Sequence, residues 1–561
     1  MTTTTATDAA TRVMVAQDRF IPGAHSALPE RLSRWRLTLT RRFVIVAELL
    51  TAAVLVVLSP VLWWVALLIA AAVTALITVT YNGASAAGWG LRWARLAYYR
   101  RNGAARQRRA AIPEPFNVDL TGLPPVGMRW DGQYAITMIE LHGRPFAPTV
   151  LVPAGADTLD TVPLEAVSTL LYQFAGLELD CADVVSVSQR VADDGPYTPK
   201  YDEIVGDRPA VGGRRTWLVL RLCPQACMAA MAYRGDAAAA TAAATERIRQ
   251  SVIRAGCRAV TCTAEQMGDA TAVLLADRDL DLDRVEESWS HLDVNADFVT
   301  TYRIAGADLN TRLLNDLATV RSNRTVTTIR LTATRAGEVS VAAVVRFHTA
   351  APLTHPPLLA LRPVAGQAFD ALLASLPLGN RSLRLQMSRR RLDAAQLRVA
   401  VGPTGPMLGM TVTGFPLLMP LTDALTAVRM TIDADLDVVV PLLLRASAAG
   451  EVVLIHTSRP EVWGPLCDPD ARISVAGAAA PRREPTMIVV DGDAQEIAGG
   501  QRGHTLVFLS GSPSTKEQST LVLTQVGFND VTVSTPAIPA IPLTLMRPRN
   551  EAQFLSHLSV G

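Results

Sequence analysis

The sequence predicts an α/β protein: a two-helix transmembrane hairpin followed by cytoplasmic mixed-sheet α/β domains. Three observations predict it. From Phe43 to Val79 the only charged residue is Glu48; arginines crowd both flanks of that run; and beyond about residue 113 short strand-like runs alternate with helical patterns.

Residues 1–40 open with Thr and Ala and lack apolar periodicity, so they read as a mobile tail ending in a basic flank. The apolar run is too long for one span of about 30 Å at about 1.5 Å per residue, and Ser59-Pro60 interrupts it. It divides into two helices, from about Arg41 to Leu58 and from Val61 to Tyr81, within a hairpin over 41–82. Helices suit a bilayer because they satisfy every backbone N–H and C=O internally. Arg31, Arg34, Arg36, Arg41 and Arg42 precede the hairpin, and its turn carries no charge. Positive flanks stay on the cytoplasmic side, so both termini and the bulk of the chain are expected there. No basic region close to Met1 and no small-residue cleavage site mark a signal peptide. Glu48, two turns from Arg41 and Arg42, reads as a snorkelling or paired carboxylate; one acid makes no proton relay.

The juxtamembrane segment 83–112 carries Arg92, Arg95, Arg100, Arg101, Arg106, Arg108 and Arg109 with no acid among them. This collar is expected to face the anionic surface of a lipid bilayer. Nucleic acid is not expected, because no recognition motif follows. The whole chain carries a net charge of +2, and six cysteines in 561 residues suggest a reducing compartment without a disulfide framework.

From 113 to 350 the pattern reads as one α/β domain. Tyr134–Glu140, Val184–Val191, Thr216–Leu222, Arg258–Cys262, Phe298–Ile304, Thr325–Thr332 and Glu338–Phe347 read as strands. Pro163–Ala175, Asp236–Ala255, Ala264–Ala276 and Asp308–Val320 read as helices, with Asp236 an N-cap and Gly256 a C-terminal stop. The proline-rich stretch around Thr349–Pro357 marks a boundary. Residues 351–561 then read as a second α/β domain, with a helix at Gln367–Ser375 and strands at Glu451–His456, Thr486–Val490 and Thr505–Leu509. It ends in the proline-spaced stretch Pro536–Pro542 and a short helix containing Phe554 and Leu558.

No constellation for catalysis assembles. Asp491 and Asp493, at the end of an apolar strand, could hold a divalent metal and a nucleotide diphosphate, as in a membrane-anchored glycosyltransferase-like enzyme, but Asp-Gly is an ordinary turn. Ala498–Thr505 lacks the first glycine, the lysine and the following helix of a phosphate loop. Cys223 and Cys227 with Cys257 and Cys262 do not have the usual zinc spacing. Neither HExxH nor Gly-x-Ser-x-Gly occurs. No enzyme activity, metal, cofactor or small-molecule substrate is therefore expected.

Several segments carry a family likeness: Arg215-Thr-Trp-Leu-Val-Leu-Arg-Leu-Cys-Pro-Gln225, Ala243-Ala-Thr-Glu-Arg-Ile248, Ala255-Gly-Cys-Arg-Ala259, Thr263-Ala-Glu265, Ile139-Glu-Leu-His-Gly-Arg-Pro145 and Ile455-His-Thr-Ser-Arg-Pro460. In this order, behind the hairpin, they make the chain resemble EccE, a membrane component of the mycobacterial ESX (type VII) secretion system. The likeness covers the hairpin and most of the first domain. It implies a non-enzymatic structural subunit of an inner-membrane complex with EccB, EccC and EccD, in which EccC is the ATPase, and it supplies no catalytic residues. The stretch from about Pro536 onward reads as an addition to the family pattern.

Overall fold

The computed structural model describes residues 63–81, 84–232, 234, 236–276, 281–294, 297–333, 338–467, 472–477, 483–492, 503–509 and 513–555, with 35–37, 49, 52, 53 and 56 before them. Glu48 and most of the expected Arg41–Leu58 helix lie outside these; Leu49, Ala52, Ala53 and Val56 are helical. Two compact units are present. One comprises residues 1–112, 281–295 and 362–371, and the other comprises 113–280, 296–361 and 372–561.

In the first unit, strand β1 (Trp35–Leu37) pairs antiparallel with β2 (Val79–Tyr81), in register Trp35↔Tyr81 and Leu37↔Val79. This strand falls in the stretch expected to be a tail. Between these strands lies helix α1 (Trp63–Thr78), whose 16 residues contain no charge. At about 1.5 Å per residue α1 is about 24 Å long. Among the described residues no helix is long and apolar enough to cross a membrane. The expected second span thus ends at Thr78 rather than Tyr81, and a strand follows it. Strand β3 (Ala84–Ser85) pairs with β2 and leads into α2 (Ala86–Arg101) and α3 (Gly103–Ala110).

The second unit is mixed α/β, as expected, and holds two sheets. Strands β4 (Phe116–Val118), β5 (Val126–Asp131) and β6 (Tyr134–His142) open the first sheet. The chain then leaves it for a hairpin, β7 (Thr149–Val152) and β8 (Gly155–Asp157), before a short helix α4 (Leu164–Thr169). It returns through β9 (Leu177–Gln189) and β10 (Gly213–Leu222), helix α5 (Ala237–Arg254), strand β11 (Arg258–Thr261) and helix α6 (Ala264–Leu275). Strand β12 (Asp297–Ile304), helix α7 (Thr311–Leu317) and strands β13 (Arg324–Ala333) and β14 (Val339–Thr349) complete it. The order is β12-β14-β13-β9-β10-β6-β5-β4, with β11 beside the far end of β6, and every one of these pairings is antiparallel. The mixed sheet expected here is therefore antiparallel. Asp236 caps α5 by accepting from the N–H groups of Ala238 and Ala239, and Gly256 follows the helix at φ +88°.

One face of this sheet buries Ile139, Val184, Leu218, Ile329 and Phe347 against Ile248 and Val252 of α5 and Leu313 of α7. The opposite face holds Arg129, Asp183, Arg221, Arg330 and Arg346, each at most 4% exposed. Three of these arginines hold carbonyls at a helix end or in the turn beyond one. Arg129 donates to the Pro377 carbonyl and Arg221 to those of Leu376 and Leu378, all just past helix α8 (Ala368–Ala374), while Arg346 donates to the Leu274 carbonyl at the end of α6. A helix leaves its last carbonyls without internal partners, and a five-donor guanidinium is suited to them.

The second sheet collects β15 (Met407–Thr411), β16 (Pro416–Leu418), β17 (Val428–Asp433), β18 (Val453–Thr457), β19 (Ile473–Val475), β20 (Met487–Asp491), β21 (Thr505–Leu509), β22 (Leu521–Gln525), β23 (Asp530–Thr535) and β24 (Ile538–Thr544). Its order is β19-β18-β20-β21-β17-β22-β23-β24-β15-β16-β7-β8. The part from β19 to β22 is parallel and the rest antiparallel. Its core packs on helix α10 (Leu436–Ala448), which follows the single turn α9 (Asn380–Leu383) and of which Val438 to Ala448 are all buried. The β7–β8 hairpin, more than two hundred residues away in sequence, forms its last two strands.

Candidate interaction site at the arginine-rich neck

Helix α2 starts at Ser85, whose hydroxyl accepts from the Gly88 N–H at 3.2 Å. It ends at Asn102, which serves both helices: its N–H donates to the Tyr98 carbonyl and its side chain accepts from the Ala105 N–H to begin α3. Helical spacing puts Arg92, Arg95, Leu96 and Tyr99 on one face and Leu91, Trp93, Ala94 and Tyr98 on the other. The first face is covered. Two distant segments, 281–295 and 362–371, close over it with acids and aromatic rings.

The closure centres on Arg109. Its Nη1 meets Glu287 Oε2 at 2.9 Å, and its Nη2 meets Asp370 Oδ1 at 2.9 Å. The guanidinium lies 4.4 Å from the Tyr99 ring centre and 4.5 Å from that of Phe369. Burial alone would lower its pKa, but Asp370 and Glu287 outweigh burial and hold it above the ordinary value. Arg95 reaches Asp370 Oδ2 at 2.8 Å, and Arg100 donates to the Glu287 carbonyl from Nε and Nη2. Glu287 Oε1 in turn accepts from the Phe369 N–H at 2.9 Å, which ties the two segments to each other. Arg92 sits over Trp89, whose ring is 5.7 Å from that of Trp289. Gly366, at φ +67°, donates to the Trp289 carbonyl, and a Cβ there would strike the Trp289 ring. A cavity of about 410 Å³ lies between Arg100, Arg106, Arg109 and Glu287.

The seven arginines thus have different tasks. Arg95, Arg100 and Arg109 hold the closure and Arg92 packs beside it, whereas Arg101 and Arg108 are exposed and Arg106 half-buried. Asp370→Ala removes a partner shared by Arg95 and Arg109. It should cost about 2 kcal/mol of local stability, less than the roughly 3–5 for a sole buried partner, because Glu287 keeps one contact. Hydrogen exchange in 281–295 and 362–371 should accelerate, and Arg101→Ala should leave it unchanged.

The remaining candidates are placed as follows. Asp491 ends β20 as expected, but its oxygens accept from Thr457 Oγ1, from Trp463 Nε1 and from Arg459 Nε and Nη2, at 2.7–2.9 Å. Burial alone would raise this carboxyl; the hydrogen bonds from Arg459, Trp463 and Thr457 hold it below the usual carboxylate range. It is a structural acceptor with its lone pairs committed. Asp493, and most of the Ala498–Thr505 stretch, lie outside the described residues. Cys223, Cys227, Cys257 and Cys262 are all buried, and burial pushes the Cys257 and Cys262 thiols up to about 12. Among the described residues no group of three or more His, Cys, Asp or Glu side chains is placed to hold a metal.

The family model described as "Putative type VII ESX secretion system translocon, EccE" matches residues 210–304, from the start of β10 to the end of β12. The ESX-5 secretion system protein EccE5 of Mycobacterium tuberculosis is 30% identical over 357 residues, covering 61% of this chain and 86% of that protein. The chain belongs to the EccE family. Two further EccE relatives agree. EccE2 of the M. tuberculosis ESX-2 system is 28% identical over 369 residues, 65% of this chain and 66% of its own length, just under two-thirds. EccE1 of the Mycolicibacterium smegmatis ESX-1 system is 26% identical over 424 residues, 73% of this chain and 80% of its own.

In this EccE chain four of the six segments that carried the resemblance, Arg215–Gln225, Ala243–Ile248, Ala255–Ala259 and Thr263–Glu265, fall inside the matched region and form β10, α5, β11 and the start of α6, whereas Ile139–Pro145 and Ile455–Pro460 lie outside it. Sequence reasoning missed Glu287, Phe369 and Asp370. The one available signal was a charge imbalance: cations on a half-buried helix with no acid nearby must draw counter-charges from elsewhere in the chain.

Proposed function

We propose that the chain is a non-enzymatic structural subunit of an ESX (type VII) secretion complex, anchored by a two-helix hairpin over 41–82 in the inner membrane, with both termini cytoplasmic. The observation that carries the anchor is the β1–β2 pairing. It brings the two ends of the apolar segment side by side, at the spacing of about 5 Å between neighbouring strands. Such a closure suits a chain that enters and leaves a bilayer from the same face. The uncharged α1 supports the same reading, with Trp64, Leu67 and Leu68 at least half exposed. Family membership carries the secretion role, since the named relatives are ESX secretion system proteins.

The partners in this reading are the other membrane components EccB, EccC and EccD, and the bilayer. The committed hydrogen bonds of Asp491 favour the scaffold over a glycosyltransferase-like enzyme. Mild detergent extraction from the native membrane, followed by native mass measurement, tests it: the chain should run in an assembly with EccB, EccC and EccD. A stable solitary monomer with none of them would overturn the proposal.

A further inference from the structure

Helix α2 has a second face, and it is apolar and open. Leu91 is 71% exposed, Trp93 65% and Tyr98 54%, and Ala86, Ala87, Gly90 and Ala94 fill the surface between them. At 3.6 residues per turn these positions form one continuous stripe, opposite the face closed by Asp370 and Glu287. The closure fixes the rotation of the helix, so its inward arginines cannot turn outward in exchange for the stripe. Exposed Trp, Tyr and Leu in one stripe call for a cover.

We infer that α2 is an interfacial helix, lying with Leu91, Trp93, Ala94 and Tyr98 at the headgroup–acyl boundary of an anionic bilayer and with Arg101 and Arg108 at the level of the phosphates. The inference rests on the membrane-anchored reading above and assigns the lipid contact to the face opposite the one the arginine count suggests. Three features on this chain select lipid as the occupant. First, α2 begins eight residues after the last residue of α1, so an α1 that enters the bilayer leaves α2 at its surface. Second, tryptophan and tyrosine with leucine on one side of a basic helix suit the interface, where an amphipathic ring has one end dry and one end wet. Third, the exposed arginines beside the stripe have no acidic neighbour between residues 92 and 109, which complements anionic head groups rather than an average protein surface.

The full chain reconstituted in phosphatidylcholine–phosphatidylglycerol vesicles tests this. Five of the six cysteines are buried, so Cys467→Ser leaves a background in which nitroxide labels can be placed at Leu91→Cys and Trp93→Cys. Leu68→Cys in α1 and Asp207→Cys, a side chain 95% exposed, serve as references. The labels at 91 and 93 should be several-fold less accessible to a water-soluble nickel chelate than the label at 207, and less accessible to oxygen than the label at 68. A protected 68 with 91 and 93 as chelate-accessible as 207 would overturn the inference and leave the anchor standing. A chelate-accessible 68 would overturn both. Spin–spin broadening at 93 would replace lipid by a second copy of the chain, and protection at 93 only in the native assembly would replace it by a protein partner; either overturns the inference. Should the cysteine variants misfold, quenching of native fluorescence by brominated lipid provides a second measure: Trp93→Phe should lose a resolvable part of it, and no loss would overturn the inference.

Discussion

Asp183→Ala should lower the unfolding free energy by about 4 kcal/mol, near the middle of the range for removing one partner of a buried ion pair. Asp183 is fully buried and serves two guanidinia. Arg221 Nη1 meets its Oδ2 at 2.6 Å, and Arg330 meets Oδ1 and Oδ2 at 2.8 and 2.7 Å. Without the carboxylate, two buried cations would face each other with backbone carbonyls, the Ser382 hydroxyl and the charge of Asp180 for support. Asp183→Leu combined with Arg221→Met and Arg330→Met removes the charges together, a change often neutral in other cores. Here it should not restore full stability, because the Leu378 carbonyl loses its Arg221 donor, and an unsatisfied buried acceptor costs about 1–3 kcal/mol, while the Leu376 carbonyl keeps the Leu378 N–H. Guanidinium unfolding followed by tryptophan fluorescence measures both variants. Full rescue by the triple variant would show that ion pairing alone explains the loss.

The same carboxylate gives a pH dependence with a definite sign. Burial alone would raise the Asp183 pKa, but Arg221 and Arg330 outweigh burial and hold it below the usual range. A depressed folded value means that its contribution is complete above the unfolded pKa of about 3.9 and is lost as the pH falls through the folded value. The wild-type chain should therefore lose more stability than Asp183→Ala between about pH 4 and lower pH. Parallel curves would remove Asp183 from the acid response.

What was legible in the sequence followed the range of the interactions. Asp236 and Gly256 bracket α5 because capping is local, and Thr505–Leu509 is a short apolar run, as a parallel strand paired on both sides should be. Helix Pro163–Ala175 was over-read. It stops at Thr169, because Gln173 enters a short strand pair and Ala175 and Gly176 take φ of 58° and 75°. Helix α10 was missed for the opposite reason. Its run Val438–Leu444 is continuously apolar, begins with three valines and contains Pro441, so it reads as well as a buried strand and not as a helix interior. The register that sets Asp183 directly opposite Arg330, across 147 residues, is tertiary information, as are the Glu287 and Asp370 partners of Arg109. Cations are easily counted in a sequence; which of them are already committed depends on contacts that the count does not contain.

Glu551→Ala should cost about 3 kcal/mol, because the C-terminal stretch is built into the core of the second sheet. Strand β24 is paired on both sides, with β23 along most of its length and with β15 through Leu543 and Thr544; Pro539 and Pro542 precede this second pairing. Beyond it Glu551, 2% exposed, receives Arg445 Nε at 2.9 Å and Nη2 at 2.8 Å and accepts the Tyr197 hydroxyl. Phe554, in helix α11 (Ala552–Leu555), meets the Tyr197 ring edge-on at 5.2 Å. Arg445 lies in the fully buried part of α10, so the last turn of the chain neutralises a charge inside the core of the second sheet. Tyr197→Phe removes one hydrogen bond and should cost about 1 kcal/mol. Truncation after Pro548 should cost at least as much as Glu551→Ala, since it leaves Arg445 without its carboxylate in the same way. Arg445→Met in the truncated chain should recover part of the loss, because the stranded charge is then absent. If truncation left the guanidinium midpoint unchanged, the C-terminal turn would be no part of the core, and the burial of Arg445 would need another counter-charge.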